Sequence, residues 1–347
     1  MYLYRLIFTQ NCLRISRIIR NFAQYSSPSA LSMKMTKLQI LTALRRLLKV
    51  ALIMVAMAIT APLARANDVD SVQVLSAAEM CQKGNDLYNN QNYKEAVEWY
   101  KQAAEQGSAA AQCNLGSCYL HGRGVEQSDR QSFYWYSKSA EQGFAAAQYL
   151  LGVCYYDGRG VDANFTEAVA WYRRAADQGL AEAQYNLGVC YSKGIGGTKS
   201  YTEAVAWFRR AADQGFAPAQ YYLGVAYYEG QGIAKSYKQA AEWFRRAADQ
   251  GHPQAQSDLG YCYYKGRGVT QSYKHAVEWF LRAAEQYDVY AQYYLGVCYQ
   301  YGRGVRKNNE EAYMWYCIAA AQGFEPAQEA VENIDMPMAR RHCHRRR

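Results

Sequence analysis

The sequence predicts an all-α repeat solenoid, and three observations predict it. The motif Ala-Gln-x-x-Leu-Gly begins at Ala111, Ala147, Ala183, Ala219, Ala255 and Ala291, each 36 residues after the last, with a degenerate copy at Ala327. All seven tryptophans, Trp99, Trp135, Trp171, Trp207, Trp243, Trp279 and Trp315, keep the same period. Tyrosine is used 33 times and proline only six times, the bias of one helical motif copied along the chain. A period held this long marks stacked units, each burying its apolar face against the next.

Each unit divides into two helices. In 183–193, Ala183, Leu187, Cys190 and Tyr191 recur at helical spacing. Gly194 and Gly196 end that helix, because glycine enters the left-handed cap conformation without Cβ strain. The second helix is expected over 202–214, with Thr202 as N-cap and an acidic first turn. Ala204, Trp207, Phe208, Ala211 and Ala212 form its packing stripe, and Gly215 ends it. The tryptophan is expected to fill the gap between units, being the largest side chain there. Tyr119, Tyr155, Tyr191, Tyr227, Tyr263 and Tyr299 hold one place in the six full units and are expected in the core, each hydroxyl on a polar partner.

The ends differ, as the water-facing ends of a stack must. The first unit, 75–108, has a shorter turn near 89–92 and resembles a tetratricopeptide unit. Six units of 36 residues fill 109–324, and 325–335 is a single, more polar capping helix. The tail 336–347 is basic and expected to be disordered.

Residues 1–66 read as a targeting segment. They carry ten Lys or Arg and no Asp or Glu. Arg45, Arg46 and Lys49 precede an apolar run from Val50 to about Ala61, and Ala64-Arg65-Ala66 supplies the small-x-small pattern of signal peptidase. A secretory signal peptide cut after Ala66 is expected, giving a periplasmic or secreted bacterial protein that meets the membrane only before cleavage. Residues 1–32 make a long leader, and initiation is expected at Met33 or Met35. The rival is a mitochondrial presequence, since 1–27 is Arg-rich and acid-free. The net charge of +9 belongs to the ends: 67–347 holds 29 basic against 30 acidic residues, five of the arginines lying in 339–347. That balance excludes a basic nucleic-acid surface.

The recurring Ala-Gln-x-x-Leu-Gly-x-x-Tyr-x-x-Gly-x-Gly-Val, followed by Glu-Ala-x-x-Trp-[Tyr/Phe]-x-x-Ala-Ala-x-Gln-Gly, resembles the Sel-1-like repeat family, relatives of the tetratricopeptide repeat, over roughly 75–333. The resemblance implies a right-handed α/α superhelix whose first helices line the concave side, and a protein-binding or scaffolding role. Departures are local: Tyr287 replaces a helix-ending glycine, Ser132 a small alanine, and Gly194–Gly197 carries an altered loop.

Chemistry finds little support in the motifs. Cys118, Cys154, Cys190, Cys262 and Cys298 form one column, with Ala226 in the remaining place. Stacked helices lie roughly 8–10 Å apart, and a disulfide needs Cα atoms within about 7 Å, so the column should stay reduced and packed. Some bacterial relatives pair two cysteines per unit, a pattern absent here; one bridge among Cys81, Cys113, Cys317 and Cys343 stays open. The Gly-Arg-Gly-Val loops at Gly122, Gly158, Gly266 and Gly302 lack the Gly-Lys-Ser/Thr of a phosphate loop and read as helix caps. His342-Cys343-His344 is too sparse for a closed zinc site. A few relatives have been described as β-lactam-binding or -hydrolysing, but no serine here begins Ser-x-x-Lys. No enzyme activity, cofactor or metal is expected, and the protein is expected to be a monomer. The alternative is a hydrolase or binder of β-lactams or peptidoglycan fragments.

Partner specificity should lie where units differ. One first-helix column runs Asn114, Leu150, Asn186, Tyr222, Asp258, Tyr294. Seven residues on, another runs His121, Asp157, Lys193, Glu229, Lys265, Tyr301, and between them Tyr261 and Ser117 interrupt a valine column. These positions share a helical face. They are the candidate surface for a protein or peptide partner. The pairs Arg173-Arg174, Arg209-Arg210 and Arg245-Arg246 precede Asp177, Asp213 and Asp249, and exposed intrahelical ion pairs are expected there.

Overall fold

The computed structural model describes residues 75–334. The signal segment, the basic tail with its His342-Cys343-His344 cluster, and Cys343 fall outside the described residues. Among the described residues fifteen helices follow in order: α1 Ala77–Asn89, α2 Tyr93–Glu105, α3 Ala109–His121, α4 Asp129–Glu141, α5 Ala145–Asp157, α6 Phe165–Asp177, α7 Ala181–Lys193, α8 Tyr201–Asp213, α9 Ala217–Glu229, α10 Tyr237–Asp249, α11 Pro253–Lys265, α12 Tyr273–Glu285, α13 Val289–Tyr301, α14 Asn309–Ala321 and α15 Glu325–Asn333. Each helix packs chiefly on its chain neighbours, and the two first helices α11 and α13 also touch directly. This is an all-α repeat solenoid. The turn before α2 is the short one expected, and the final helix has nine residues.

The second helix expected over 202–214 runs from Tyr201 to Asp213, one residue earlier. Ser200, not Thr202, caps α8: it is extended at φ −148°, and its side chain accepts from the Glu203 amide at 3.3 Å. Ser128, Ser236 and Ser272 do the same, and Asn164 and Asn308 likewise accept from first-turn amides. Of two nearby hydroxyls, the one three residues before the free first-turn amide takes the cap. The first helices end on glycines in the left-handed region, as expected. The second glycine of each loop is not a cap. A Cβ on Gly268 would collide with the Tyr237 carbonyl of the preceding unit, so that glycine lets one unit's loop dock on the last.

Both aromatics of the second-helix stripe pack, as Trp207 and Phe208 were expected to, and the tryptophans lie against the cores of adjoining units, but they are buried to different depths. The residue after each tryptophan, Tyr100, Tyr136, Tyr172, Phe208, Phe244, Phe280 or Tyr316, is buried, while six of the seven tryptophans are only half-buried. The buried ring lies on the glycine of the first helix: a Cβ on Gly224 would stand 2.6 Å from the Phe244 ring. That close approach explains the Leu-Gly of the motif. Leu115, Leu151, Leu187, Leu223, Leu259 and Leu295 fill the core beside it.

The motif glutamine has a function the sequence did not disclose. Gln112, Gln148, Gln184, Gln220, Gln256 and Gln292 are buried. Each donates to a carbonyl eight residues back, as Gln184 does to Ala176 at 3.1 Å. Each also accepts from the glutamine 30 residues on, as Gln184 does from Gln214 at 2.8 Å. A buried amide left unpaired would cost about 1–3 kcal/mol, so this ladder fixes the register of successive units.

The arginine pairs behave differently from expectation. Among the described residues the ion pairs are Lys101–Glu98 and Arg159–Asp157, and none joins these arginines to their aspartates. Arg174, Arg210, Arg246 and Arg282 lie over Trp171, Trp207, Trp243 and Trp279 at 4.2–4.5 Å. Arg173, Arg209 and Arg245 donate to the hydroxyls of Tyr191, Tyr227 and Tyr263 in the next helix. A guanidinium flat on a ring keeps its edge in water and gains about 0.5–1 kcal/mol, more than an exposed intrahelical pair gives. The tyrosine column is correspondingly half-buried rather than core, and Tyr191, Tyr227 and Tyr263 tie units together through these arginines.

The cysteine column is buried and reduced, and Cys81 and Cys113 are also buried free thiols.

Candidate functional site

The first-helix face is not a uniform solvated stripe. The column from Asn114 to Tyr294 is half-buried and engages neighbouring units. Asn114 donates to Asn85 at 2.9 Å, and Asn186 donates to the Tyr149 hydroxyl at 3.4 Å. Leu150 packs against the core around Leu151 and Cys154. Tyr222 stacks on Phe208 and Tyr294 on Phe280, each at 5.4 Å. The column seven residues on, His121, Asp157, Lys193, Glu229, Lys265 and Tyr301, is exposed throughout. His121 Nδ1 lies 2.9 Å from the Ser117 carbonyl, Asp157 pairs with Arg159 at 3.1 Å, and Tyr301 faces Arg303. The face therefore has a packed inner row and an exposed outer row.

Two cavities open between these rows, side by side at α9. The larger, about 440 Å³, is walled by α7, α8 and α9. Its polar rim is Ser192, Lys193, Lys199, Tyr201 and Gln231; its floor includes Phe208, Tyr222, Val225 and Ala226. The smaller, about 220 Å³, lies between α9, α10 and α11, with Tyr221, Tyr228, Phe244 and Tyr261 as walls and Asp258 and Glu229 as its carboxylates. Five of the predicted residues, Lys193, Tyr222, Glu229, Asp258 and Tyr261, thus meet in two adjoining sites.

Local sequence explains why the cavities are here. Ala226 stands where the other five full units have cysteine, so a sulfur is missing from the larger cavity's floor. Lys199 stands at its rim, with the ammonium 4.7 Å from the Tyr201 ring, an arrangement that Lys235 and Tyr237 repeat one unit on. Gln231 replaces the arginine that four sister loops carry. Tyr221, Tyr228, Lys199 and Gln231 were not anticipated. The place of Tyr228 also varies between units, which was the available signal, whereas the place of Tyr221 is tyrosine in four of the six full units and gave little.

The electrostatics of the two sites are opposite. The larger has two lysines at its mouth. In the smaller, burial pushes the Asp258 carboxyl up to about 7; the Tyr221 hydroxyl partly offsets this, and the charges of Asp288 and Glu229 add to it. Burial also pushes the column thiols up, to about 11 at Cys190 and about 12 at Cys262 and Cys298. They are protonated at neutral pH and poor nucleophiles. Ser192 donates to the Val189 carbonyl at 2.8 Å, and no histidine lines either cavity. Among the described residues no group of three His, Cys, Asp or Glu is placed to hold a metal, and no helix is long and apolar enough to cross a membrane.

Stacked helix pairs with a glutamine ladder and a groove on the first-helix face define an α-solenoid scaffold. The Sel1 repeat model matches seven consecutive segments, 75–108, 109–144, 145–180, 181–216, 217–252, 253–288 and 289–324. The chain belongs to the Sel1 repeat family, and the short first unit is counted among its repeats. It is similar to a protective antigen present in uropathogenic Escherichia coli strains, at 35% identity and TM-score 0.70 over 74% of this chain. It spans 56% of that antigen's length. It is also similar to a Sel1 repeat protein from Oxalobacter formigenes, at 35% identity and TM-score 0.63, over 69% of this chain and 96% of that one. No curated protein sequence matches the chain. Scaffolds of this family commonly mediate protein–protein interaction.

Proposed function

We propose that the protein is an exported, non-catalytic scaffold that holds a protein or peptide partner in the groove spanning α7 to α11. One observation carries this reading: two adjoining cavities, one rimmed by lysines and one by carboxylates, lie where the units depart from their own consensus, at Ala226, Gln231 and Asp258. Positions that break a repeat's pattern without serving its packing are free to serve a ligand. Tyrosine walls suit such a groove, giving rigid contact area with a polar tip. The segment around Ala64-Arg65-Ala66 supports export to the periplasm or beyond.

The test is a charge reversal confined to exposed rim residues, Lys193→Glu, Lys199→Glu and Glu229→Lys together, which leaves the core intact. Crosslinking in the exporting cell, followed by mass spectrometry, should recover a partner with the wild type and lose it with the triple variant. Equal recovery from both would remove the groove from the reading. The mature N-terminus should begin at Asn67; a chain retaining residues before it would refute cleavage after Ala66.

A further inference from the structure

We infer that the smaller cavity is a receptor for an arginine side chain presented by the partner, an inference that rests on the scaffold reading above. Its walls are the rings of Tyr221, Tyr228, Phe244 and Tyr261, and its polar groups are the carboxylates of Asp258 and Glu229. Aromatic faces and carboxylates together attract an organic cation. A hard metal ion would instead require six or more oxygen ligands. At about 220 Å³ the site is smaller than a typical small-molecule pocket of about 300–1,000 Å³. That volume suits one side chain inserted from a longer ligand.

The chain itself shows that its tyrosine faces take guanidinium groups. Arg267 lies over Tyr228 at 5.5 Å and over Tyr261 at 5.6 Å, two of the cavity walls. Arg123 sits over Tyr88 and Tyr93, and Arg303 over Tyr264 and Tyr273, in the same way at other junctions. Yet neither Asp258 nor Glu229 is in either of the ion pairs found among the described residues. Arg267 spends its hydrogen bond on the Tyr228 hydroxyl. The cavity therefore presents cation-binding rings beside two carboxylates that no arginine or lysine of the described chain pairs. A planar guanidinium satisfies both features, stacking on a ring while its edge meets a carboxylate.

Binding should depend on pH through Asp258. The groups around it are Tyr221, Tyr228 and Glu229 on α9, Tyr261, Cys262 and Lys265 on α11, Arg267 after it and Asp288 before α13; His252 stacks on Tyr221 at 4.9 Å, and Lys265 and Arg267 lie over the Tyr261 ring without pairing with a carboxylate. Burial and the neighbouring acids keep the carboxyl protonated below about 7. A cation favours the ionised form, so affinity should climb roughly tenfold per pH unit below that point and level off above it.

The full chain is titrated with N-acetyl-arginine amide, and separately with N-acetyl-citrulline amide, its neutral isostere, while the tyrosine ring resonances are followed by NMR. The arginine derivative should shift the rings of Tyr221, Tyr228 and Tyr261, and citrulline should not. Asp258→Asn should weaken binding roughly tenfold or more and abolish its pH dependence. Asp258→Tyr, which copies the packed residue Tyr294, should eliminate binding with the fold intact. Equal shifts from citrulline, or unchanged affinity in both variants, would overturn the inference. Loss of partner capture in the rim triple variant alongside a failed arginine titration would reject the arginine and keep the groove.

Discussion

Asp258 and Tyr294 stand 36 residues apart, in the same place of consecutive units, and they leave different junctions behind. At Tyr294 the ring stacks on Phe280 with an interplanar angle of 12° and meets Tyr261 at 5.3 Å, so the junction is filled. At Asp258 the side chain is too short to cover Phe244, and about 220 Å³ is left open among tyrosines. Backbone, glycine contacts and glutamine ladder are the same on both sides. A solenoid separates support from recognition in this way: one column can change from plug to socket without disturbing the columns that hold the stack.

Four experiments probe the contrast between plug and socket. The largest effect comes from the buried rings themselves. Phe280→Ala should cost about 4 kcal/mol and Phe244→Ala about 3 kcal/mol, since Phe244 already faces a cavity and loses fewer contacts. Urea unfolding midpoints measure both, and a greater loss at Phe244 would contradict the open junction.

Next comes the titration of Asp258. Its folded carboxyl is raised above its unfolded value, so the folded state holds a proton that the unfolded chain releases from about pH 4 upward. The stabilisation is full below about pH 4 and is lost as pH rises through about 7, a change of at most a few kcal/mol. Thermal melts of the wild type should fall across that window, and those of Asp258→Asn should not. A wild-type profile flat from pH 4 to 7 would count against the buried carboxyl.

Smaller effects follow. Tyr287 is exposed and holds φ at +65°, where the other full units place glycine. Tyr287→Gly should stabilise the filled junction by about 1 kcal/mol, seen as a rise in melting temperature. Ala226→Cys restores the thiol column and fills part of the larger cavity. It should gain about 0.5 kcal/mol and weaken any ligand seated there; a loss of stability would mean that the floor is already closed.

Much of this was legible in the sequence. The period, the helix pairs, the left-handed glycine caps, the short first turn and the reduced cysteine column all follow from spacing and from what each residue type does locally. The candidate face was legible only as a column of differences. Its residues were placed on the right helices, but Asn114, Asn186, Tyr222 and Tyr294 engage neighbouring units, whereas the row from His121 to Tyr301 is exposed to solvent. Tyr228 was missed because its contribution to the site depends on Asp258 in the next unit.

The repeat, the length of each helix and the family of the chain are written in its residue order, because helical periodicity and capping are read within a dozen residues. Tertiary packing seated the ring after each tryptophan on the glycine of its unit's first helix, brought Arg173, Arg209 and Arg245 to tyrosines of the next unit, and made the motif glutamine a bridge. Those choices depend on how closely and at what angle two helices meet. That geometry is set by contacts between residues about 18, 30 or 36 positions apart, and no local pattern contains it.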